Sequence, residues 1–384
     1  MLPSLASLRF FYFKMRRGLF FVAVGLVGSS LSALAADPLG PGAGPWIVES
    51  GEAHGLDSAA LAAMGESVFK VHVRDCLVVI KDGALVYEKY STARYNRTGH
   101  QGFSQTKSLG ALLMGWASDQ AEQGRGGVDI DADITAAYGV KSPRPYPVTS
   151  RQIMSQALDG ADGPGQAWAY DAIGTRWINV LTRVFAAATG RKPSDVFREA
   201  FALPLGLSEQ FSWKSADSAW DAGSVGTCRD YARFGQLLLN GGRWPGVAAP
   251  NASVASAVAS AAPQQIVSSA YVAQMSAPQT HYAPYANYSN PCYGLLTWLN
   301  TNPGSDRGSA QYPGVCKMWP QKTWFPSGSG SNVYLLAGLL GQETMVIPDH
   351  NMVVVSMGDS ADDYPLERAM YEGVCTLFPG ECHD

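Results

Sequence analysis

Charge is scarce in this chain. Only 16% of its 384 residues are charged, and the net charge is a modest −4. No lysine- or arginine-rich stripe is present, which argues against a nucleic-acid partner. His-Glu-x-x-His and Cys-x-x-Cys are both missing, so the sequence offers no zinc helix, zinc knuckle or redox dithiol. The histidines His54, His72 and His100 are scattered, and His350 falls in a loop where it reads as a surface residue. Gly-x-Ser-x-Gly is absent too, which leaves a nucleophile-elbow histidine triad without an anchor. Beyond residue 35 no run is apolar enough to span a bilayer.

The first 35 residues do carry such a run. Lys14, Arg16 and Arg17 precede an apolar stretch from Gly18 to Leu34 that ends in Ala33-Leu34-Ala35. This is the layout of a secretory signal peptide cut before Ala36, with export to the periplasm or the extracellular space and no stable membrane insertion afterwards. Four of the 28 basic residues and none of the 32 acidic ones lie in this leader, so its removal leaves a net charge near −8. Residues 36–384 are ample for one two-lobed domain. All six cysteines lie there, an even count that suits disulfides in an exported chain. Fifteen pairings are possible. Cys375 with Cys382 closes a short Pro-Gly loop, Cys292 with Cys316 clips another, and Cys76 with Cys228 remains.

Leu77–Ile80 and Leu85–Tyr90 flank Lys81-Asp82-Gly83 and read as a hairpin. Helices are expected near 149–157, from Arg176 to Thr189, from Arg229 to Leu239 and from Leu366 to Val374. Residues 245–290 read as helix plus surface loop. Strands are expected at Tyr334–Leu336, Thr344–Ile347 and Met352–Met357. Strands thus occupy both ends and helices the middle, which suits one sheet built from both termini.

The chemistry-bearing element is Ser104-Gln105-Thr106-Lys107 at the start of an apolar helix anchored by Leu109, Leu112, Leu113 and Trp116. A serine hydroxyl needs a partner to take its proton. Residues three apart on a helix share a face, so the Lys107 amine can point at the Ser104 hydroxyl. A capping serine beside a solvated lysine would show the same spacing. The surrounding order of motifs separates the two readings. Pro204-Leu205-Gly206-Leu207, Ser224-Val225-Gly226-Thr227 leading into Arg229-Asp230-Tyr231, Cys292-Tyr293-Gly294 with Trp298, and Gly338-x-x-Gly341-Gln342 follow in turn.

This ordered set resembles the serine β-lactamase and penicillin-recognising hydrolase superfamily, closest in look to class C β-lactamase-related esterases and 6-aminohexanoate-oligomer hydrolases. The resemblance implies an α/β, β-lactamase/transpeptidase-like fold: an antiparallel sheet from both termini, flanked by helices, with an inserted mainly helical lobe at roughly residues 110–225. It implies catalysis by Ser104, Lys107 and Tyr170, the last in a stretch similar to the family's Tyr-x-Asn. It also implies a substrate strand carrying Leu336, Gly338, Leu339, Gly341 and Gln342, with an oxyanion held by the Ser104 backbone N–H and another near Leu339. No metal or cofactor is implied, and the partner is a small-molecule ester or amide.

Two positions depart from the family pattern. Ala172 stands where relatives carry the asparagine that helps orient the lysine; Asp171 and Asn179 are the polar neighbours available to compensate. Leu336 stands at the basic position of the family's Lys-Thr-Gly or His-x-Gly element, which argues against a carboxylate-bearing substrate and for an esterase or an amidase of a less charged one. The aromatics Trp298, Trp319, Trp324, Phe325 and Tyr334 are candidates for either pocket lining or core. Alternatives are a non-catalytic relative that binds peptide or glycan in the old cleft, a true β-lactamase, or a D-aminopeptidase.

Overall fold

Two apolar strands near one end of the chain and three near the other find each other across the whole sequence. The structure, a computed structural model, describes residues 38–71, 73–158, 168, 170–246, 262–279, 292–300, 333–359 and 363–379. The hairpin of β1 (Val73–Lys81) and β2 (Ala84–Tyr90) turns through Asp82 and Gly83, both at positive φ, the twist a tight hairpin needs. β1 then pairs antiparallel with the last strand, Val78 facing Val355 and Ile80 facing Val353.

Nine further strands lie among the described residues. They are β3 (His100–Gln101), β4 (Ser212–Trp213), β5 (Ser224–Gly226), β6 (Arg243–Trp244), β7 (Gln264–Gln265), β8 (Trp298–Leu299), β9 (Tyr334–Gly338), β10 (Gln342–Ile347) and β11 (Met352–Asp359). The main sheet runs β2-β1-β11-β10-β9-β8, β3-β5-β4 form a small second sheet, and β6 pairs with β7. Leu77–Ile80 and Val353–Val355 are fully buried, as expected of strands covered on both faces.

Helices supply those covers. Asp57 caps α1 (Ser58–Lys70) by accepting from the Ala59 and Ala60 N–H groups. α1 packs on α8 (Asp363–Leu377), with Met64 seated against Gly373. Between sheet and lobe lies α2 (Gln105–Glu122), buried from Gln105 through Gly115 on every side. α3 (Ile134–Tyr138), α4 (Ser150–Met154) and α5 (Val180–Thr189) build the lobe beyond it, and α7 (Ser269–Met275) packs on α2. α6 (Cys228–Leu239) opens with a capping box between Thr227 and Asp230 and lays Gly235 against Thr344 and Val353. This is the expected β-lactamase/transpeptidase-like α/β frame, with a sheet from both ends and an inserted helical lobe.

A disulfide joins Cys76 of β1 to Cys228 at the first turn of α6, the pairing left over in the sequence reading. Cys292 and Cys375 are disulfide-bonded as well, whereas Cys316 and Cys382 lie outside the described residues. The helix expected from Arg176 begins at Val180, because the Val180 and Leu181 N–H groups bond the Trp177 and Ile178 carbonyls three residues back, closing tight turns and not α-helical ones. His350 is not a free surface residue: its ring stacks on Phe378 at 3.6 Å. Tyr334 is core, and Trp319, Trp324 and Phe325 lie outside the described residues. No described helix is long and apolar enough to cross a membrane.

Candidate active site

β3 delivers the chain to the mouth of α2. Gly102 follows it, bonded through its N–H to the Ser224 carbonyl of β5. Phe103 then takes φ +45, a conformation costly for a residue with a side chain. The turn is held from behind by a buried run of hydroxyls. Thr106 Oγ1 lies 2.7 Å from Ser224 Oγ, which lies 2.9 Å from the Tyr231 hydroxyl. A side chain at Gly102 would collide with both Tyr231 and Ser224. From the front, Thr344 of β10 donates to Gln105 Oε1 at 2.7 Å.

Ser104 therefore occupies the cap position of α2, yet its side chain makes no capping bond. Its hydroxyl is engaged by Lys107 instead, with Nζ 3.0 Å from Oγ. The lysine is 1% exposed, so the solvated-lysine reading is excluded. Its amine also donates to the carbonyls of Asp221, at 2.9 Å, and Ala172, at 3.2 Å. Burial pulls the amine down from 10.5 to about 8, and the Asp221 and Asp171 carboxylates keep it from falling further.

Tyr170 closes a third side. The Lys107 Nζ sits over its ring, 4.9 Å from the centroid. Burial pushes the phenol up to about 12; a hydrogen-bonding contact with Ser104 opposes the rise, and the Asp171, Asp221 and Glu343 carboxylates add to it. The ring belongs to a cluster with Trp168, Tyr293 and Trp298, whose centroids lie 4.8–6.2 Å apart. Trp298, a sequence candidate for pocket or core, is thus packed directly on Tyr170.

The β9–β10 hairpin lies across from these groups. Gly338 abuts the backbone of Gly102, so the strand and the serine turn meet with no side chain between them. Leu339 is 59% exposed at the hairpin tip. Leu340 and Gly341 turn the chain at positive φ, and the buried Arg74 of β1 donates to both of their carbonyls. Gln342 spends its side chain on backbone, donating to the Leu340 carbonyl of the hairpin and to the Gly358 carbonyl of β11 and accepting from the Gly358 N–H. Leu336 is wholly buried, so its position presents no charge.

The structure thus brings Ser104, Lys107 and Tyr170 together and sets Gly338 beside the serine turn. The amide missing at position 172 is answered by that residue's own backbone carbonyl. Asp171 makes this possible: it accepts from the Trp177 and Ile178 N–H groups at 2.8 and 3.0 Å and fixes the loop that aims the Ala172 carbonyl. Asn179 does not touch the lysine; it binds the Trp220–Asp221 loop. Sequence reasoning missed Asp221 altogether, because it contributes a backbone oxygen that any residue would carry.

A central antiparallel sheet closed by its two ends, with a buried Ser-x-x-Lys helix under it, defines the serine-hydrolase-like β-lactamase/transpeptidase class. The Beta-lactamase family model matches residues 63–372, and the chain belongs to that family. Solved structures agree on the fold. A candidate 6-aminohexanoate-dimer hydrolase from Bacillus anthracis superposes with a TM-score of 0.53 at 18% identity, covering 82% of this chain and 80% of its own. A beta-lactamase from Mycobacterium bovis gives 0.53 at 18% identity, covering 83% and 100%. The hydrolase EstCE1, described as having promiscuous acyltransferase activity, gives 0.52 at 15% identity, covering 82% and 98%. No curated protein matches the sequence.

Proposed function

We propose that this chain is an exported serine hydrolase that cleaves an uncharged ester or amide through a covalent acyl-Ser104 intermediate. One observation carries the reading: a buried amine with a depressed pKa lies 3.0 Å from a serine hydroxyl that caps nothing. In the reactive state Lys107 is neutral. Its two N–H bonds go to the Asp221 and Ala172 carbonyls, and its lone pair faces the Ser104 hydroxyl. As Oγ attacks the substrate carbonyl, the proton passes to Nζ. The Ser104 N–H and an N–H near Leu339 receive the oxyanion.

Tyr170 stays a phenol at neutral pH, so it serves as a relay and not as the resting base. It passes the proton from the lysine to the departing alcohol or amine. Water then attacks the acyl-enzyme, with the same groups acting in reverse and restoring Ser104. Every step uses side chains and backbone of this chain.

The substrate class follows from charge and surface. Leu336 places no cation for a carboxylate. Ile173 and Leu339, neighbours in sequence of the residues that flank the serine, are exposed and apolar. A short apolar acyl group suits that setting better than a carboxylate-bearing lactam or peptide. The test is a fluorophosphonate probe on the wild type and on S104A, with p-nitrophenyl esters, short amides and nitrocefin as substrates. Labelling lost in S104A, brisk ester cleavage and feeble nitrocefin turnover are expected. A folded but unlabelled wild type would point to a binding protein, and nitrocefin turnover far above the esters would point to a β-lactamase.

A further inference from the structure

We propose that Asn179 is a positioning residue: its carboxamide holds the Asp221 carbonyl against the Lys107 amine, doing through a neighbour what the amide missing at position 172 would have done directly. This rests on Lys107 serving as the base of the Ser104 reaction.

The Asn179 side chain uses both of its ends on one loop. Oδ1 accepts from the Trp220 backbone N–H at 2.8 Å, and Nδ2 donates to Asp221 Oδ1 at 2.9 Å. These two bonds grip the residues on either side of the peptide bond that joins Trp220 to Asp221. The Asp221 carbonyl one bond further on is the nearer of the two carbonyls on the Lys107 amine, at 2.9 Å. Trp220 is itself fully buried, with its indole N–H donating to the Ala216 carbonyl, so the loop is fixed on one side by packing and on the other by Asn179.

The residue type matters. One group must accept from a backbone N–H and donate to a carboxylate, which a carboxamide does and neither a carboxylate nor a hydrocarbon can. Gly174, at φ +68, lies so close that a side chain there would strike both the Asn179 amide and the Asp221 carboxylate. The pair is therefore enclosed by the same loop that carries the Ala172 carbonyl. Asp171 steadies that carbonyl and Asn179 the other, so the lysine is aimed by two backbone oxygens, each with its own support.

The groups facing the amine are the Ser104 hydroxyl, the Tyr170 ring and the charges of Asp171 and Asp221. Asn179→Asp removes the donor and adds a second carboxylate beside Asp221, which raises the amine pKa. With p-nitrophenyl acetate, N179D is expected to lose roughly 10- to 100-fold in kcat at little change in KM. The acid limb of its kcat/KM profile should move upward by about one pH unit. The double variant N179D/D221N exchanges donor and acceptor: the new carboxylate accepts from the Trp220 N–H and from the new amide at 221. It should recover kcat to within about threefold of the wild type and return the limb, a rescue that a purely structural residue would not give.

Fluorophosphonate labelling of wild type and variants runs alongside. Labelled wild type with N179D reacting at the same rate overturns the role of Asn179 alone, as does a double variant no better than the single. An unlabelled wild type overturns the Ser104 reading and this inference with it. Should N179D not fold, N179A removes both bonds without added charge, and folded N179A with wild-type kcat is equally decisive against the proposal.

Discussion

Replacing Gly338 by alanine tests the close approach on which the site is built. A Cβ at that position would stand 2.2 Å from the Gly102 carbonyl oxygen, whereas real Cβ contacts begin near 3.0–3.4 Å. Both partners are backbone, so no rotamer change relieves the clash. The β9 strand and the serine turn must part by about 1 Å, a displacement that typically costs on the order of 100-fold when it separates reacting groups. The same overpacking should cost about 1–3 kcal/mol of stability, which a domain of this size tolerates. The assay pairs kcat/KM for p-nitrophenyl acetate with urea unfolding. L203A is the control: it trims an exposed leucine outside the site and should stay within about threefold of the wild type. A G338A protein with wild-type kcat/KM and an unmoved unfolding midpoint would refute both the contact and the role given to the hairpin.

Because the reactive amine is the neutral form and titrates at about 8, kcat/KM should fall about tenfold per pH unit below 8 and level off above it; a profile flat from pH 6 to 9 would remove Lys107 as the base. K107A should lose roughly 100- to 10,000-fold in activity while its circular dichroism stays native. K107M should be more stable than the wild type below pH 8 by about 3 kcal/mol, because holding the amine at about 8 and not 10.5 penalises the protonated native state; the gain should fade between pH 8 and 10.5 and vanish above, as urea titrations at three pH values would show. Y170F keeps the ring beneath the lysine but lacks the relay, so kcat should drop about 100-fold with KM nearly constant; a shift confined to KM would assign Tyr170 to binding. C76S/C228S opens a cross-link spanning 152 residues and should cost about 2–5 kcal/mol, read from the urea midpoint against the oxidised protein.

Much of this architecture is legible from side-chain patterning. The Asp82-Gly83 turn, the Ser-x-x-Lys helix and the three closing strands announce themselves through turn chemistry and apolar runs. The site is legible only where side chains carry it. Ser104, Lys107 and Tyr170 meet as their spacing and context suggest. The lysine's other two partners are main-chain oxygens, at Ala172 and Asp221, and a carbonyl has no residue signature. For the same reason the substitution at 172 reads as a loss in the sequence, whereas its backbone still reaches the amine. Asn179 and Asp171 are visible as polar residues near the gap, but what each one holds depends on the fold of the 171–179 loop. The aromatic cluster around Tyr170 draws on residues more than a hundred positions away, which no local period could reveal. Gln342 looks like a substrate contact in its motif, yet the Leu340 and Gly358 carbonyls claim its amide.

The pairing of β1 with β11 has a consequence for how the molecule is made. That seam joins residue 73 to residue 359, so β1 has no partner on that side until nearly the entire polypeptide has been synthesised. Contacts this distant along the chain fold slowly. Until then the nascent protein exposes a two-stranded ribbon with a bare, apolar edge, a surface that a chaperone would have to shield. A chain cut short before Met352 would lack the strand that fills the gap, and no rearrangement of the helical lobe could supply it.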